Sequence, residues 1–140
     1  MSTQLAATIQ AGQQDTLPGH LGIELVSAAP EEVVGELEVK KHLCTAGDIL
    51  HGGAIMAFAD NLGAIGAFLN LEPGTGTTTV ESKTNFLRPA PVGEKVTATS
   101  RLVNKGRTLM LWQTELRDTR DRLIAVVSQS QIVLAPKHQL

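Results

Sequence analysis

The chain has 140 residues, 42% of them hydrophobic and 19% charged, with a net charge of −2. That supplies one sizeable core, leaves no length for a second catalytic domain, and fits neither a disordered chain nor a charge-rich coiled coil. Fourteen acids against twelve Lys and Arg argue against a dedicated nucleic-acid binder, and one Trp, three Phe and no Tyr leave little for base stacking. The lone Cys44 forms no intrachain disulfide and no Cys/His cluster has zinc-ligand spacing, so neither scaffold is expected and a reducing cytoplasm is the expected location. The opening Met1-Ser2-Thr3-Gln4 lacks the charged and apolar regions of a signal peptide.

In chain order, Leu5, Ala6 and Ile9 predict a short helix within Ser2 to Asp15, ending before Leu17-Pro18-Gly19. Residues 1–17 are read as an extension and 18–140 as one domain. Gly22 to Ala28 and Val33 to Lys40 predict two strands; in the second, Val33, Gly35, Leu37 and Val39 alternate with Val34, Glu36, Glu38 and Lys40, the period of a strand with one wet face. Ile49 to Leu69 is almost uninterrupted Ala, Ile, Leu, Met, Phe and Gly and predicts a helix starting near Gly52. Being apolar on every side, it should be wrapped by other structure. A membrane span is disfavoured, because a mid-helix carboxylate costs about 2.5–3.5 kcal/mol on the lenient insertion scale. Four strand-like runs follow: Thr77 to Leu87, Lys95 to Val103, Thr108 to Leu116 and Leu123 to Leu134. Short, turn-rich connections imply antiparallel neighbours. The expected class is α+β, an antiparallel sheet curled around one central apolar helix.

The informative stretch runs from Gly47 through His51-Gly52-Gly53 to Asp60. Glycines at a helix start let a ligand approach the backbone closely, and first-turn N–H groups lack intrahelical acceptors, so such an end can bind a developing oxyanion. Asp60 lies inside the apolar helix, where an unpaired charge is expensive. On the pattern alone it either serves chemistry or marks, with Asn61, a solvated stripe.

His51-Gly52-Gly53 with an acid seven residues after Gly53, then Lys83 to Ala90, Gly93 and Lys105-Gly106-Arg107, together resemble the hotdog-fold acyl-CoA thioesterases of the phenylacetate-pathway type, relatives of 4-hydroxybenzoyl-CoA thioesterase. The likeness covers about Pro18 to Leu134. It implies a hotdog fold and hydrolysis of an acyl-CoA, an aromatic acyl group being one option, to the free acid and CoA. No cofactor is implied, CoA being part of the substrate, and no metal. Asp60 then stands at the family's catalytic carboxylate, as general base or nucleophile, and the N–H of Gly52 or Gly53 polarises the thioester carbonyl. Related enzymes often carry Asn or Gln about six residues before the His; here Thr45 stands there, either orienting water through its hydroxyl or bonded to its own backbone. His51 reads as orienting the loop rather than as the base, and Asp48 as a turn or cap residue. His20, His42, His138 and Cys44 are assigned no role.

Arg88, Lys105 and Arg107 are positive charges at turns, and the Gly106-Arg107-Thr108 turn is the best candidate for the CoA nucleotide. The strand carrying Ser82 and Asn85 is polar on both faces, fitting either a substrate channel or an exposed edge. From Gly52 to Asp60 is eight helical steps, a rise of about 12 Å, so one helix cannot bring both groups to one carbonyl. The spacing therefore calls for a homodimer with shared sites, in agreement with the resemblance; a tetramer, a dimer of dimers, is the further expectation, which the sequence does not distinguish from a dimer. A hotdog hydratase or dehydratase is the rival enzyme, but His51 and Asp60 lie about 180° apart around the helix and do not meet within a chain. A non-catalytic acyl-CoA-binding module is the rival from another class; fewer than twenty residues before Pro18 leave no room for the DNA-binding helices that known sensors attach.

Overall fold

The computed structural model describes residues 2–136; His138 lies outside them. Six strands form one antiparallel sheet in the order β1-β2-β6-β7-β8-β5: β1 (Glu24–Ala28), β2 (Glu32–Glu38), β5 (Gly76–Phe86), β6 (Lys95–Lys105), β7 (Leu109–Arg117) and β8 (Leu123–Leu134). A two-stranded ribbon, β3 (Cys44–Thr45) with β4 (Ile49–Leu50), leads into the long helix α3 (Gly52–Phe68). This is the hotdog arrangement: α3 packs on one face of the sheet and buries Ala54, Ile55, Phe58, Ala59, Leu62 and Ile65 against Val33, Leu37, Val96, Ala98, Leu116 and Val127. Full burial of side chains such as Phe58 and Leu62 stabilises the fold by about 1.5–3 kcal/mol each. Close approach at the C-terminal end depends on Gly66, where an added Cβ would lie 2.3 Å from the Trp112 ring.

The N-terminal helix α1 (Ser2–Gly12) docks on β1, with Ala6 buried and Leu5 and Ile9 packed on the main core. Gln10 Oε1 accepts from the Leu25 N–H at 2.6 Å, so this helix also satisfies part of the exposed β1 edge. A second short helix, α2 (Leu17–Leu21), occupies the segment read as a break; Pro18 is accommodated in its first turn and Gly22 ends it at φ 79°.

Two expectations are corrected. The connection after β5 does not join neighbours, since β5 pairs with β8 and β6 pairs with β2. Residues 87–94 instead cross the N-terminal end of α3, held by Leu50 N–H to Ala90 O (2.8 Å), Val92 N–H to Asp48 O (2.9 Å) and Gly93 N–H to Val39 O (2.9 Å). Eight extended residues reach about 26 Å, more than the roughly 14 Å across three strand spacings. Secondly, the sheet does not wrap α3 on all sides. It covers one face and leaves a stripe through Gly53, Met56, Asp60, Ala64 and Phe68 wholly or partly open, with Met56 38% and Phe68 65% exposed.

Candidate active site

The helix start is built by His51. Its backbone (φ −62°, ψ 136°) is extended, its carbonyl accepts from Ala54 and Ile55, and its Nδ1 accepts from the Gly53 N–H at 2.7 Å. A ring nitrogen that accepts carries no proton, so this bond places the ring's proton on Nε2. Of the two glycine N–H groups, that of Gly53 is therefore occupied. No acceptor meets the Gly52 N–H among the described residues.

Asp60 lies two turns further along α3, half-buried on the open stripe. Its Oδ1 accepts from Thr79 Oγ1 at 2.7 Å and from Gln129 Nε2 at 3.2 Å. Behind them Gln131 Nε2 donates to Thr79 Oγ1 at 2.6 Å, and Thr77 Oγ1 lies 3.1 Å from Gln131 Oε1. Oδ2 receives no bond from the described residues, so the carboxylate is anchored through one oxygen. Thr79, Gln129 and Gln131 escaped the sequence reading. A signal was present: the inward row of β8 runs Ala125, Val127, Gln129, Gln131, Val133, placing two amides in an otherwise apolar row.

The remaining expected residues fall into separate groups. Thr45, Gly52 and Arg88 line one open groove of about 510 Å³ together with Ile49, Leu50, Ile55, Phe86 and Leu87. Lys105, Gly106 and Arg107 line another of about 320 Å³ with Asn70, Leu71 and Glu72, beyond the other end of α3. Seventeen helical residues separate the two regions by about 25 Å within a chain. Thr108 is exposed beside the second, its carbonyl accepting from Val133 N–H. Arg88, Lys105 and Arg107 make no ion pair among the described residues, whereas Lys41 pairs with Asp48 and Lys95 with Glu36. Ser82 and Asn85 do not share a face: Ser82 stands opposite Gln129 on the inner side, and Asn85, opposite Val126, projects outward. A bulge at Val80 sets this phase, because the register passes from Thr79↔Gln131 to Glu81↔Ser130. Asp48 occupies the ribbon turn at φ 57°, and Cys44 is half-buried with Sγ directed at Lys40 O. Among the described residues no helix is long and apolar enough to cross a membrane.

The family model of the thioesterase superfamily matches residues 47–125, the span from the ribbon turn through β8's start that contains the helix, Asp60 and the crossing connection. A Deinococcus radiodurans protein bearing an esterase name is 38% identical, over 84% of this chain and 76% of its own length. The 1,4-dihydroxy-2-naphthoyl-CoA hydrolase of Listeria monocytogenes is 30% identical, over 82% of this chain and 89% of its own. A thioesterase of Haemophilus influenzae superposes with a TM-score of 0.89 at 26% identity, covering 96% of this chain and 93% of that one. On sequence and fold together, the chain belongs to the thioesterase superfamily and is a hotdog-fold thioester hydrolase.

Proposed function

We propose that the chain hydrolyses acyl-CoA thioesters at sites shared between two copies, the Gly52 N–H of one protomer binding the carbonyl oxygen and Asp60 of its partner activating water. The observation that carries this reading is the separation of two groups on one helix that have no partner among the described residues: the Gly52 N–H and Oδ2 of Asp60, about 12 Å apart by helical rise. The N–H must lie about 3 Å from the carbonyl oxygen, and the carboxylate must reach the carbonyl carbon through one water. A second copy, antiparallel along α3, brings the helix start of one chain to the middle of the other. The unpaired outer edge of β5 and the open stripe of α3 are the surfaces such a copy covers. The two-fold dimer is the minimal unit, and a tetramer pairs two of them.

In the step itself, water attacks the thioester carbon as Asp60 Oδ2 takes its proton, and the oxyanion forms against the Gly52 N–H at the positive end of the helix dipole. The C–S bond then breaks, the thiolate of CoA leaves, and the proton on Asp60 returns to it. His51 keeps the Gly53 N–H engaged and so holds the helix start open. In this reading Thr45, exposed in the same groove as Gly52, orients the acyl group or the water.

In this arrangement the same geometry supports an assignment of the nucleotide to one of the two chains. Asn70, at the Lys105–Arg107 groove, is ten residues beyond Asp60, about 15 Å by helical rise and on the scale of an extended pantetheine arm. The protomer giving Asp60 therefore also gives Lys105, Gly106 and Arg107 to the CoA phosphates. The groove of Ile49, Leu50, Ile55 and Phe86 is apolar and suits an aromatic acyl group, in line with the naphthoyl-CoA named for the Listeria relative. An acyl-CoA substrate supports the expected cytoplasmic location.

The experiment is a panel of acyl-CoA thioesters followed by thiol release, run on wild type and Arg107→Ala. Benzoyl-type thioesters should be turned over faster than aliphatic ones of similar size. Arg107→Ala should raise KM several-fold with kcat unchanged, and should leave an N-acetylcysteamine thioester, which lacks the nucleotide, unaffected. Equal loss on both substrates would remove Arg107 from the nucleotide site.

A further inference from the structure

Gln129 is 1% exposed and sits in a row that an apolar side chain would fill at less cost. Its Nε2 lies 3.2 Å from Asp60 Oδ1 and 3.5 Å from the Asp60 carbonyl oxygen. A carboxylate and a carbonyl only accept, so the amide has to turn its NH2 toward α3. Its Oε1 is left buried without a partner among the described residues. The helix makes space for this group: a Cβ on Gly63 would lie 2.4 Å from the Gln129 Cδ and Oε1 and 2.6 Å from Nε2. Any residue larger than glycine at position 63 would push the amide off Asp60. An unpaired buried acceptor and a glycine within a helix are both unfavourable, and the bonds to Asp60 are what the two together make possible.

The second donor to the same oxygen is oriented from behind. Gln131 donates to Thr79 Oγ1, which directs the single hydroxyl proton of Thr79 to Asp60. Gln129 and Thr79 approach from β8 and β5, so two different strands fix the torsion of one carboxylate.

We propose that Gln129, lodged in the space left by Gly63, is a positioning residue that pins Oδ1 of Asp60 and thereby presents Oδ2 to the reacting water. This rests on Asp60 being the catalytic carboxylate. An unpinned carboxylate rotates between orientations of which only some are productive, so loss of the amide should lower turnover without weakening substrate binding.

The test compares Gln129→Met, which keeps the length and volume of the side chain but removes the amide, with Gly63→Ala, which keeps the amide but displaces it. Each is assayed with the acyl-CoA that wild type turns over fastest, alone and combined with Asp60→Asn. The expected result is a fall in kcat of about tenfold in each single variant with KM within about twofold, and no further fall when Gln129→Met is added to Asp60→Asn. Should Gln129→Met not fold, Gly63→Ala and Gln129→Glu, which keeps the shape but replaces the donor with an acceptor, read the same quantity. Wild-type kcat in a folded Gln129 variant, or an equal proportional loss with and without the Asp60 carboxylate, would overturn the proposal. Near wild-type kcat in Asp60→Asn alone would overturn the catalytic assignment itself, which is a separate readout from the Gln129 effect.

Discussion

Two carboxylates in this molecule are hydrogen-bonded in opposite ways. Asp118, in the β7–β8 turn, is saturated: Oδ1 accepts from the N–H groups of Arg120 and Arg122, both at 2.9 Å, and Oδ2 accepts from Arg122 Nε at 2.8 Å. Burial pushes the Asp118 carboxyl up, but the main-chain and guanidinium bonds of Arg122 and the N–H of Arg120 outweigh it and hold the group below the usual aspartate value. Among the described residues Asp60 is bonded at one oxygen, by Thr79 and Gln129. Bonding at both oxygens ties a charge into the fold, whereas bonding at one holds it while leaving the other oxygen open. The comparison predicts that the two residues respond to the same Asp-to-Asn change in different observables.

The largest effect is expected in Asp60→Asn, where kcat should fall at least about a hundredfold, the scale of a lost catalytic base. Its melting temperature should hardly move, because Asn keeps the Oδ1 acceptor and places its NH2 where Oδ2 had no partner. A fall in melting temperature with turnover intact would make Asp60 a structural residue and erase the contrast. Next, Thr79→Val removes one of the two donors to Oδ1 with little change in shape. Steady-state kinetics should show kcat reduced about tenfold, as for one hydrogen bond to a charged group, with KM little changed. An unaltered kcat would mean that Oδ1 needs no second donor. The smallest effect on activity, essentially none, is expected in Asp118→Asn. There the change should appear in stability: the depressed carboxyl stabilises the fold above the ordinary aspartate range, and this contribution is lost as pH falls below about 4 through the folded-state value. Asp118→Asn should therefore melt lower than wild type at neutral pH and approach it at acid pH, as read by thermal denaturation across the pH range. A constant difference at every pH would separate Asp118's contribution from its charge.

The same pair shows what can be read from a sequence. The strands and α3 were legible because alternation and an unbroken apolar run are local signals; the last strand was expected over the residues that β8 occupies. Asp60 stood out as the one acid in that run. Its partners did not, because Thr79 and Gln129 are nineteen and sixty-nine residues away and meet it only through the β5–β8 pairing. Strict alternation from Thr79 would have put Glu81, Lys83 and Asn85 on its face; the bulge at Val80 brings in Ser82 and Thr84 instead. Pairing is non-local, so the crossing of residues 87–94 was equally invisible, and so was the open stripe of α3, whose hydrophobicity alone suggested full enclosure.

The claim on which the mechanism depends is that Gly52 and Asp60 serve one thioester from two chains, and complementation tests it most directly. One parent carries Asp60→Asn. The other carries Gly52→Pro, which removes the free N–H at the first helical position; His51 already has the extended backbone that suits a residue before proline. An added Cβ there meets the Phe86 ring at 3.2 Å, and that ring is 54% exposed and free to give way. After subunit exchange about half the dimers are mixed, and each mixed dimer has one site with both lesions and one with neither. Two inactive parents should thus recover roughly a quarter of wild-type activity on mixing. Confirmed exchange with no recovery would place Gly52 and Asp60 in the same chain's site and contradict the account.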